Sequence, residues 1–270
     1  MDIGVDAGGT LVKIAWWAKG ELVFRAFPAA VLDDAARWLV SRGEETRICL
    51  TGGRAAELAA KLPLGTETTD EFRATCRGAL HLMKQQRLDM PERFVLANVG
   101  TGTSIHVVEG TEFRRVSGTG VGGGTFVGLS YLLTGISNFE KLVRLAEQGE
   151  PGQLDLLVKD IYTMTDAPIP GELTASNFGK AAAAGPAGAA DRVAAVLKMV
   201  AETVLVLAMQ ACDKYEANKA AFIGSTFHNH PLMQRTVAGY EKAAGKKVVF
   251  PANGWMSGAV GALLSLKEAE

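Results

Sequence analysis

The chain has 270 residues, a formal net charge of -1 at pH 7 and a hydrophobic fraction of 48%. A chain of this length can bury a large core, as one large domain or two of ordinary size, and its balanced charge indicates neither a nucleic-acid partner nor disorder. The three cysteines, Cys49, Cys76 and Cys212, are an odd number and widely spaced, which argues against a disulfide framework or a zinc site.

The chain begins with DIGVDAGGTLVKIAWW, which predicts a β-hairpin with a polar tip. Residues 3–5 and 11–17 have the β-branched and apolar content of strands, and the glycines between them permit a tight turn. Glycine turns are common and need no function. This one also carries Asp6, Thr10 and Lys13, which can supply a carboxylate for Mg2+, a hydroxyl and a positive charge beside backbone N–H groups that bind phosphate. These groups are the requirements of a bound nucleotide.

Strand-like and helix-like segments then follow one another along the chain. Further strands are predicted at residues 20–29, 47–53, 93–100, 103–110, 112–118, 219–229 (ending in a turn) and 246–251. Helices are predicted at residues 33–41, 54–61, 70–86, 120–135 (after a glycine-rich turn), 138–148, 192–215 and 254–269. A second polar glycine turn, NVGTGTS, lies between two of the strands and, like the first, opens a block of three strands. Two such blocks predict a duplicated α/β domain with a nucleotide held between the halves.

Two further patterns limit the function and the location. Residues 118–123, GTGVGG, match the spacing G-x-G-x-x-G, but no hydrophobic strand precedes them and no acidic residue ends a strand about 20 positions later, so a dinucleotide fold is not favoured. The N-terminus enters a strand without a signal-type segment, and the apolar stretch 193–209 is interrupted by Lys198 and Glu202. We therefore expect a cytoplasmic protein that does not cross a membrane.

Seven segments spread along the chain form a recognisable set: DAGGTLVKI at Asp6, LTGG at Leu50, ANVGTGTS at Ala97, RRVSGTGVGGGTFVGL at Arg114, PIPGELTASNFG at Pro168, IGSTFHN at Ile223 and GAVGALL at Gly258. In this order they resemble the type II pantothenate kinases of staphylococcal-type bacteria and eukaryotes. PIPGELTASNFG discriminates most, because sugar kinases and heat-shock ATPases lack it. The resemblance implies the α/β fold of the actin-like ATPases and of acetate and sugar kinases. Its two ribonuclease-H-like domains are expected at residues 1–96 and 97–270, with the nucleotide in the cleft.

The resemblance implies ATP and Mg2+ as cofactors, with Asp6 serving the metal ion. Contacts with ATP are then expected from Gly8, Gly9, Thr10, Leu11, Val12, Lys13, Thr101, Gly123, Gly124, Thr125, Phe126, Val127, Phe139 and Ser225. The helix that begins near Gly123 would offer unpaired N–H groups and a favourable dipole to anions. For Phe139, packing in the core is an equally good interpretation.

On the acceptor side, the resemblance implies Glu71 and Arg115 as the catalytic residues. Glu71 matches the glutamate that accepts the hydroxyl proton, although Arg73 stands where the family has a second acidic residue. The alternative is that Asp70 and Glu71 only favour a helix N-terminus. Arg115 matches an arginine that stabilises developing charge, and Arg114 should face the other way along a strand.

Contacts with the acceptor are expected from Glu71, Thr101, Gly102, Thr103, Arg115 and Tyr240. For Tyr240, a surface position on an amphipathic helix is an equal alternative. The resemblance also implies a homodimer, in which helices at 192–215 pack together and the segment 160–178 covers the neighbour's substrate site.

These expectations predict ATP-dependent phosphorylation of pantothenate to 4'-phosphopantothenate, the first step toward coenzyme A. One alternative is another kinase of this fold, such as an N-acetylhexosamine kinase, although the Asn-Asp pair usual for sugar hydroxyls is not found. A second is a regulatory protein that uses ATP to switch domain closure. No nucleic-acid or membrane partner is expected.

Overall fold

A computed structural model describes residues 1–63, 65–162, 167–183, 185 and 187–267, and it contains a first five-stranded sheet near the N-terminus. The strand order of this sheet is β3-β2-β1-β4-β5. The strands are β1 (Asp2–Ala7), β2 (Leu11–Ala18), β3 (Glu21–Pro28), β4 (Arg47–Thr51) and β5 (Glu67–Thr68). The helices of this part are α1 (Leu32–Val40), α2 (Ala55–Ala59) and α3 (Glu71–Gln85).

The second five-stranded sheet has the order β12-β11-β6-β7-β8. Its strands are β6 (Arg93–Val99), β7 (Thr103–Glu109), β8 (Glu112–Thr119), β11 (Lys219–Ile223) and β12 (Lys247–Val249). A small sheet joins β9 (Leu156–Leu157) and β10 (Thr174–Ser176). The helices are α4 (Gly123–Thr134), α5 (Phe139–Ala146), α6 (Val158–Ile161), α7 (Ala189–Lys214), α8 (Pro231–Ala238), α9 (Glu241–Ala244) and α10 (Ser257–Ser265).

The two large sheets have the same topology. In each, three consecutive strands pair antiparallel, and two later strands extend the sheet in parallel on the side of the first strand. In the first sheet β4 pairs with β1 and β5 with β4; in the second, β11 pairs with β6 and β12 with β11. This repetition confirms the duplicated α/β fold. The boundary expected between residues 96 and 97 falls inside β6, whose partners β7 and β11 belong to the second sheet.

Helices α3 and α10 form a layer between the sheets. One face of α3 packs on the second sheet, and another packs against α10, which lies on the first sheet. Their backbones touch because glycines stand at the crossing: a Cβ on Gly78 would lie 1.9 Å from the Ser257 carbonyl oxygen, and one on Gly261 would lie 1.7 Å from that of Ala74. The last helix in the described part of the chain, α10, therefore packs on the first sheet. Its contact with α3 fixes α3 between the two sheets.

Helix α7 is the main core helix of the second half. It packs against α4, α5 and the second sheet, and 13 of its 26 residues are buried. Within the described part of the chain it is the one helix long and apolar enough to cross a membrane by length and composition, and 61% of its most apolar window is buried in the fold. Its apolar character therefore reflects burial against the sheet. Sequence patterns did not indicate β9, β10, α6, α8 and α9.

Candidate active site

The tip of the β1–β2 hairpin holds a mostly buried ion pair. Register pairing sets Asp6 opposite Lys13, and the Lys13 Nζ lies 2.9 Å from the Asp6 Oδ2, with side-chain exposures of 14% and 11%. The Asp6 carboxylate also lies against the first turn of α10, where a Cβ on Gly258 would come within 2.7 Å of Oδ2. The carboxylate and the cation expected from the sequence are therefore neighbours at the base of the cleft.

The tip of the β6–β7 hairpin is fixed through its carbonyl groups. The Gly123 N–H donates to the Gly100 carbonyl at 2.8 Å, and the Gly124 N–H donates to the Thr101 carbonyl at 2.9 Å. The Thr226 hydroxyl also donates to Gly100, at 2.9 Å. The expectation of unpaired N–H groups at the start of α4 is therefore wrong for Gly123 and Gly124, because a neighbouring turn uses these two donors.

The two hairpin tips meet at their threonines. The Thr10 and Thr101 Oγ1 atoms lie 3.0 Å apart, within hydrogen-bond distance. They stand at one end of a cavity of about 990 Å3, which is within the range of small-molecule sites. Eight of the residues expected to contact ATP line this cavity: Thr10, Leu11, Thr101, Gly123, Gly124, Val127, Phe139 and Ser225.

Other expected ATP residues stand around the cavity in different ways. The side chains of Val12 and Phe126 are fully buried in the core, so these two positions can offer only backbone atoms. The Thr125 hydroxyl donates to the Gly120 carbonyl at 3.0 Å and closes the turn before α4. Phe139 is placed both for contact with a ligand and for core packing. It lines the cavity, and its ring packs edge-on against the Phe126 ring at 5.9 Å between centroids.

Two histidines, His228 and His230, precede α8. Their sequence pattern favours a nucleotide-loop or surface role over a metal pair, because no carboxylate or thiolate is spaced near them in the chain. His228 lines the cavity and stacks on Trp255 at 4.0 Å between ring centroids. His230 is fully buried, packs 5.8 Å from the Phe139 ring and accepts the Met233 N–H through Nδ1. Burial lowers the pKa of His230 to about 4, so it packs as a neutral ring behind the cavity. The helix it caps has no strong sequence signal.

Glu71 is the exposed first residue of α3 and is not among the residues that line the cavity of about 990 Å3. Asp70 supplies the helix cap, since its Oδ1 accepts the Arg73 N–H at 2.8 Å. The surrounding protein raises the pKa of the Glu71 carboxyl above its usual value; the Asp6 carboxylate raises it further, and the Lys13 ammonium opposes both effects. The side chain is nevertheless exposed enough to meet a ligand. Such a carboxyl, near a second carboxylate and a cation, has the properties of a general base.

Arg115 projects from β8 toward the start of α3. Its guanidinium carbon lies 5.4 Å from the centre of the Phe72 ring, next to Glu71 in the chain. Arg114 lies over the Tyr215 ring at 4.9 Å. The two arginines therefore face opposite sides of the sheet, as the strand alternation predicted.

Two residues expected to contact the acceptor are not placed to do so through their side chains. The Thr103 hydroxyl is already hydrogen-bonded within the fold, and Tyr240 lines a different cavity. The Thr103 hydroxyl is nearly buried and donates to the Val121 carbonyl at 2.7 Å, so its side chain is committed to the fold. Tyr240 lines a second cavity of about 690 Å3, and its hydroxyl donates to the Glu202 carboxylate. Burial and this carboxylate raise the pKa of Tyr240. The fold of one chain thus does not bring Tyr240 into the cavity that holds the two hairpin tips.

Similarity to known proteins agrees with this geometry. The sequence profile of the Fumble family matches residues 18–265. Type II pantothenate kinases of Staphylococcus aureus strains USA300 and NCTC 8325 are each 38% identical over 265 residues, which is 97% of this chain and 98% of theirs.

Among solved structures, the activator of the 2-hydroxyisocaproyl-CoA dehydratase from Clostridium difficile with bound ADPNP is 15% identical, with a TM-score of 0.63 over 99% of this chain and 95% of that one. A ROK family glucokinase from Streptomyces griseus in complex with glucose and AMPPNP is 12% identical, with a TM-score of 0.58 over 99% of both chains. These two likenesses show the actin-like ATPase and sugar kinase fold. The sequence matches go further: this chain belongs to the Fumble family, that of the type II pantothenate kinases.

Proposed function

We propose that this chain transfers the γ-phosphate of ATP to the primary hydroxyl of pantothenate, giving 4'-phosphopantothenate, the first step of coenzyme A biosynthesis. Membership of the Fumble family and the 38% identity to type II pantothenate kinases support this activity. The observation that carries the mechanism is the exposed Glu71 carboxyl at the start of α3, whose pKa is raised by partial burial and by the Asp6 carboxylate.

ATP would occupy the cavity of about 990 Å3 between the hairpin tips and α5. Its phosphates would lie at Thr10 and Thr101, whose hydroxyls already meet there. The adenosine would extend toward Val127, Phe139 and Ser225, which also line the cavity. In such a site the protein supplies mainly positioning and electrostatic stabilisation.

The cleft also fits a magnesium ion, for which Asp6 would be the protein ligand. Asp6 is 8% exposed and is the nearest buried carboxylate to the hairpin tip. Proteins commonly hold Mg2+ through one or two carboxylates together with substrate phosphates, so a single aspartate beside the phosphate site is sufficient. When bound, the metal would reduce the repulsion between the phosphate oxygens and the incoming hydroxyl.

Glu71 would accept the proton of the acceptor hydroxyl as that oxygen approaches the γ-phosphate. Its raised pKa makes it a better base than an ordinary glutamate. Arg115, across from it on β8, would stabilise negative charge on the transferring group. Lys13 keeps the Asp6 carboxylate paired at 2.9 Å and adds a positive charge at the same end of the cleft.

The protein would act as a cytoplasmic homodimer. Helices α4 and α7 pack together and leave apolar side chains at the surface, with Leu132 77% exposed and Val206 56% exposed; such patches favour association. Of the segment 160–178 expected to cover the neighbour's site, residues 163–166 lie outside the described residues. Light scattering at micromolar concentration should give about twice the chain mass of 28.5 kDa, and a fully active monomer would contradict the shared site.

A coupled assay of ADP release tests the proposed activity and its alternatives together. The acceptors are pantothenate and a panel of sugars that includes N-acetylhexosamines, with ATP and Mg2+ present throughout. We expect ADP release with pantothenate alone. Turnover with a sugar and none with pantothenate would favour another kinase of this fold, whereas ATP binding without acceptor-dependent turnover would favour a nucleotide-gated switch.

A further inference from the structure

Arg115 and Gly118 share one face of β8 because the strand is bulged. In a regular strand, residues three apart point to opposite faces. Here Ile105 pairs with Ser117 and His106 pairs with Arg115, so the ladder is irregular at this point and Val116 is the extra residue. A bulge of this kind redirects side chains. It places Arg115 beside His106 and Gly118 beside Ser104, all toward α3.

The Arg115 guanidinium lies over the position that a side chain at residue 118 would occupy. A Cβ built on Gly118 would be 2.3 Å from the Arg115 Nη2 and 3.3 Å from its Cζ. Contacts this short do not occur between real atoms, so a side chain at this position would displace the guanidinium. The glycine therefore leaves the space in which the guanidinium rests.

The Phe72 ring contacts the guanidinium, and the His106 ring packs on Phe72. The Arg115 Cζ lies 5.4 Å from the centre of the Phe72 ring, within the range of a cation–π contact. The Phe72 ring packs in turn on the His106 ring at 5.3 Å. His106 is fully buried, and its Nε2 lies 3.0 Å from the Ser104 Oγ. Phe72 is itself 39% exposed, so its ring is supported by His106 on one side and open to solvent elsewhere.

The charge of His106 is compatible with this arrangement. Burial and the neighbouring Arg115 cation lower its pKa to about 4, against a weaker opposing effect of Asp70. The imidazole is therefore neutral near pH 7 and does not repel the guanidinium. Phe72 also follows Glu71 directly in the chain, so the ring that holds Arg115 is covalently joined to the proposed base.

We propose that Gly118, Phe72 and His106 are positioning residues, which together hold the Arg115 guanidinium at the acceptor end of the cleft. This inference rests on the proposed function for the role of Arg115 in turnover. An arginine side chain has many rotamers, and its charge stabilises a transition state only when its position is fixed beforehand. The bulge and the Phe72 ring, which packs on His106, supply that fixation. Among the described residues no carboxylate forms an ion pair with Arg115, so its charge is not neutralised.

Gly118→Ala tests this arrangement, with Gly120→Ala as its matched control. A Cβ on Gly120 meets nothing within 4 Å. We expect Gly118→Ala to lower kcat with pantothenate by about 100-fold, since a displacement near 1 Å costs about that much, with little change in the KM for ATP. Phe72→Leu, which keeps an apolar side chain but loses the ring face, should lower kcat by about two- to fivefold.

A double-mutant cycle separates positioning from damage to the sheet, because a Cβ on Gly118 would also lie 2.9 Å from the Thr103 carbonyl oxygen. If Gly118 acts through Arg115, then Gly118→Ala has no further effect on kcat in an Arg115→Ala background. An equal effect in both backgrounds, or equal kcat for Gly118→Ala and Gly120→Ala, would overturn the inference.

A crystal structure of Gly118→Ala gives a result that does not depend on the acceptor. We expect the guanidinium to leave the Phe72 ring by more than about 1 Å. A guanidinium that stays in place overturns the positioning role whatever the enzyme phosphorylates. Absence of pantothenate turnover in the unchanged protein would instead count against the proposed function alone.

Discussion

The β1–β2 and β6–β7 hairpins occupy equivalent places in the two sheets but are held by different interactions. The first hairpin carries a mostly buried ion pair between Asp6 and Lys13. The second has no charged residue at its tip, and the Gly100 and Thr101 carbonyls accept hydrogen bonds from the start of α4 and from Thr226. The repeated topology thus gives two turns at the cleft, one rich in charge and one bound firmly to its own half.

This difference indicates that the two hairpins have different roles in the site. The first hairpin can supply charge to a metal ion and to phosphate, while the second supplies a fixed edge against which the nucleotide is placed. The fold alone does not assign these roles, because both turns have the same topology; the side chains and their partners assign them. Changes in the first hairpin should therefore affect turnover most, and changes beside the second should affect nucleotide binding and stability.

Among changes at the two hairpins, Asp6→Asn should have the largest effect. The substitution keeps the size of the side chain but removes the charge proposed to bind Mg2+, so kcat should fall by about 1000-fold, equivalent to several kcal/mol of transition-state stabilisation. It also leaves Lys13 without its anion, which should lower the melting temperature. The measurements are coupled ADP release and thermal denaturation. Asp2→Asn, at the exposed Asp2–Arg47 pair on the same strand, is the control, and Asp6→Asn activity within tenfold of it would contradict these different roles.

Gly123→Ala should have a smaller effect of a different kind. A Cβ there would lie 2.5 Å from the Thr226 Oγ1 and 3.0 Å from the Gly100 carbonyl oxygen, so α4 must shift away from the second hairpin. We expect the free energy of unfolding to fall by about 1–3 kcal/mol, and the KM for ATP to rise more than kcat falls. Gly53→Ala, whose Cβ meets nothing within 4 Å, is the control. A loss in kcat with an unchanged KM for ATP would count against a binding role for this edge.

The contact between the two tips should have the smallest effect. The Thr10 and Thr101 hydroxyls lie 3.0 Å apart at exposed positions, where a hydrogen bond contributes about 0.5–1.5 kcal/mol at most. Thr10→Val and Thr101→Val should each raise the KM for ATP by a few-fold, and the double variant should be less affected than the two changes added together. Strict additivity would show that the tips act independently.

Much of the fold could be predicted because strong local patterns determine it. Glycine turns such as those at Gly8 and Gly100, and the apolar period of α3 and α7, are local signals, and the structure contains each of them. The position of the domain boundary stays a prediction. The pairing of β6 with β11 and the packing of α10 on the first sheet join segments far apart in the chain, which local patterns do not reveal. The short helices α8 and α9 have few residues and little periodicity, so local patterns do not reveal them.

The site could be predicted in outline but not in its hydrogen bonding. Sequence gives the residue types at the cleft, and eight expected ATP residues line the cavity. It does not show that the Gly123 and Gly124 N–H groups already have acceptors, or that the Thr103 hydroxyl is used internally. These facts depend on how two turns meet in space. The same holds for Tyr240, whose hydroxyl binds Glu202 in a separate cavity.

The proton acceptor is the central element of this account, and Glu71→Gln tests it most directly. Asp33→Asn is the matched control, since Asp33 is also an acidic residue in the first turn of a helix but is paired with Lys61 away from the cleft. The environment raises the pKa of Glu71 and lowers that of Asp33, so above these pKa values folding disfavours ionised Glu71 and favours ionised Asp33.

The same two variants are measured for kcat and for melting temperature at pH 7. We predict that Glu71→Gln lowers kcat by about 100- to 10,000-fold without lowering the melting temperature, while Asp33→Asn keeps kcat and lowers the melting temperature slightly. In the unchanged protein, kcat should fall on acidification at a pH above the usual glutamate value of 4.5. A Glu71→Gln variant that keeps kcat within a few-fold and melts at a lower temperature would contradict the account, because Glu71 would then serve only the start of α3.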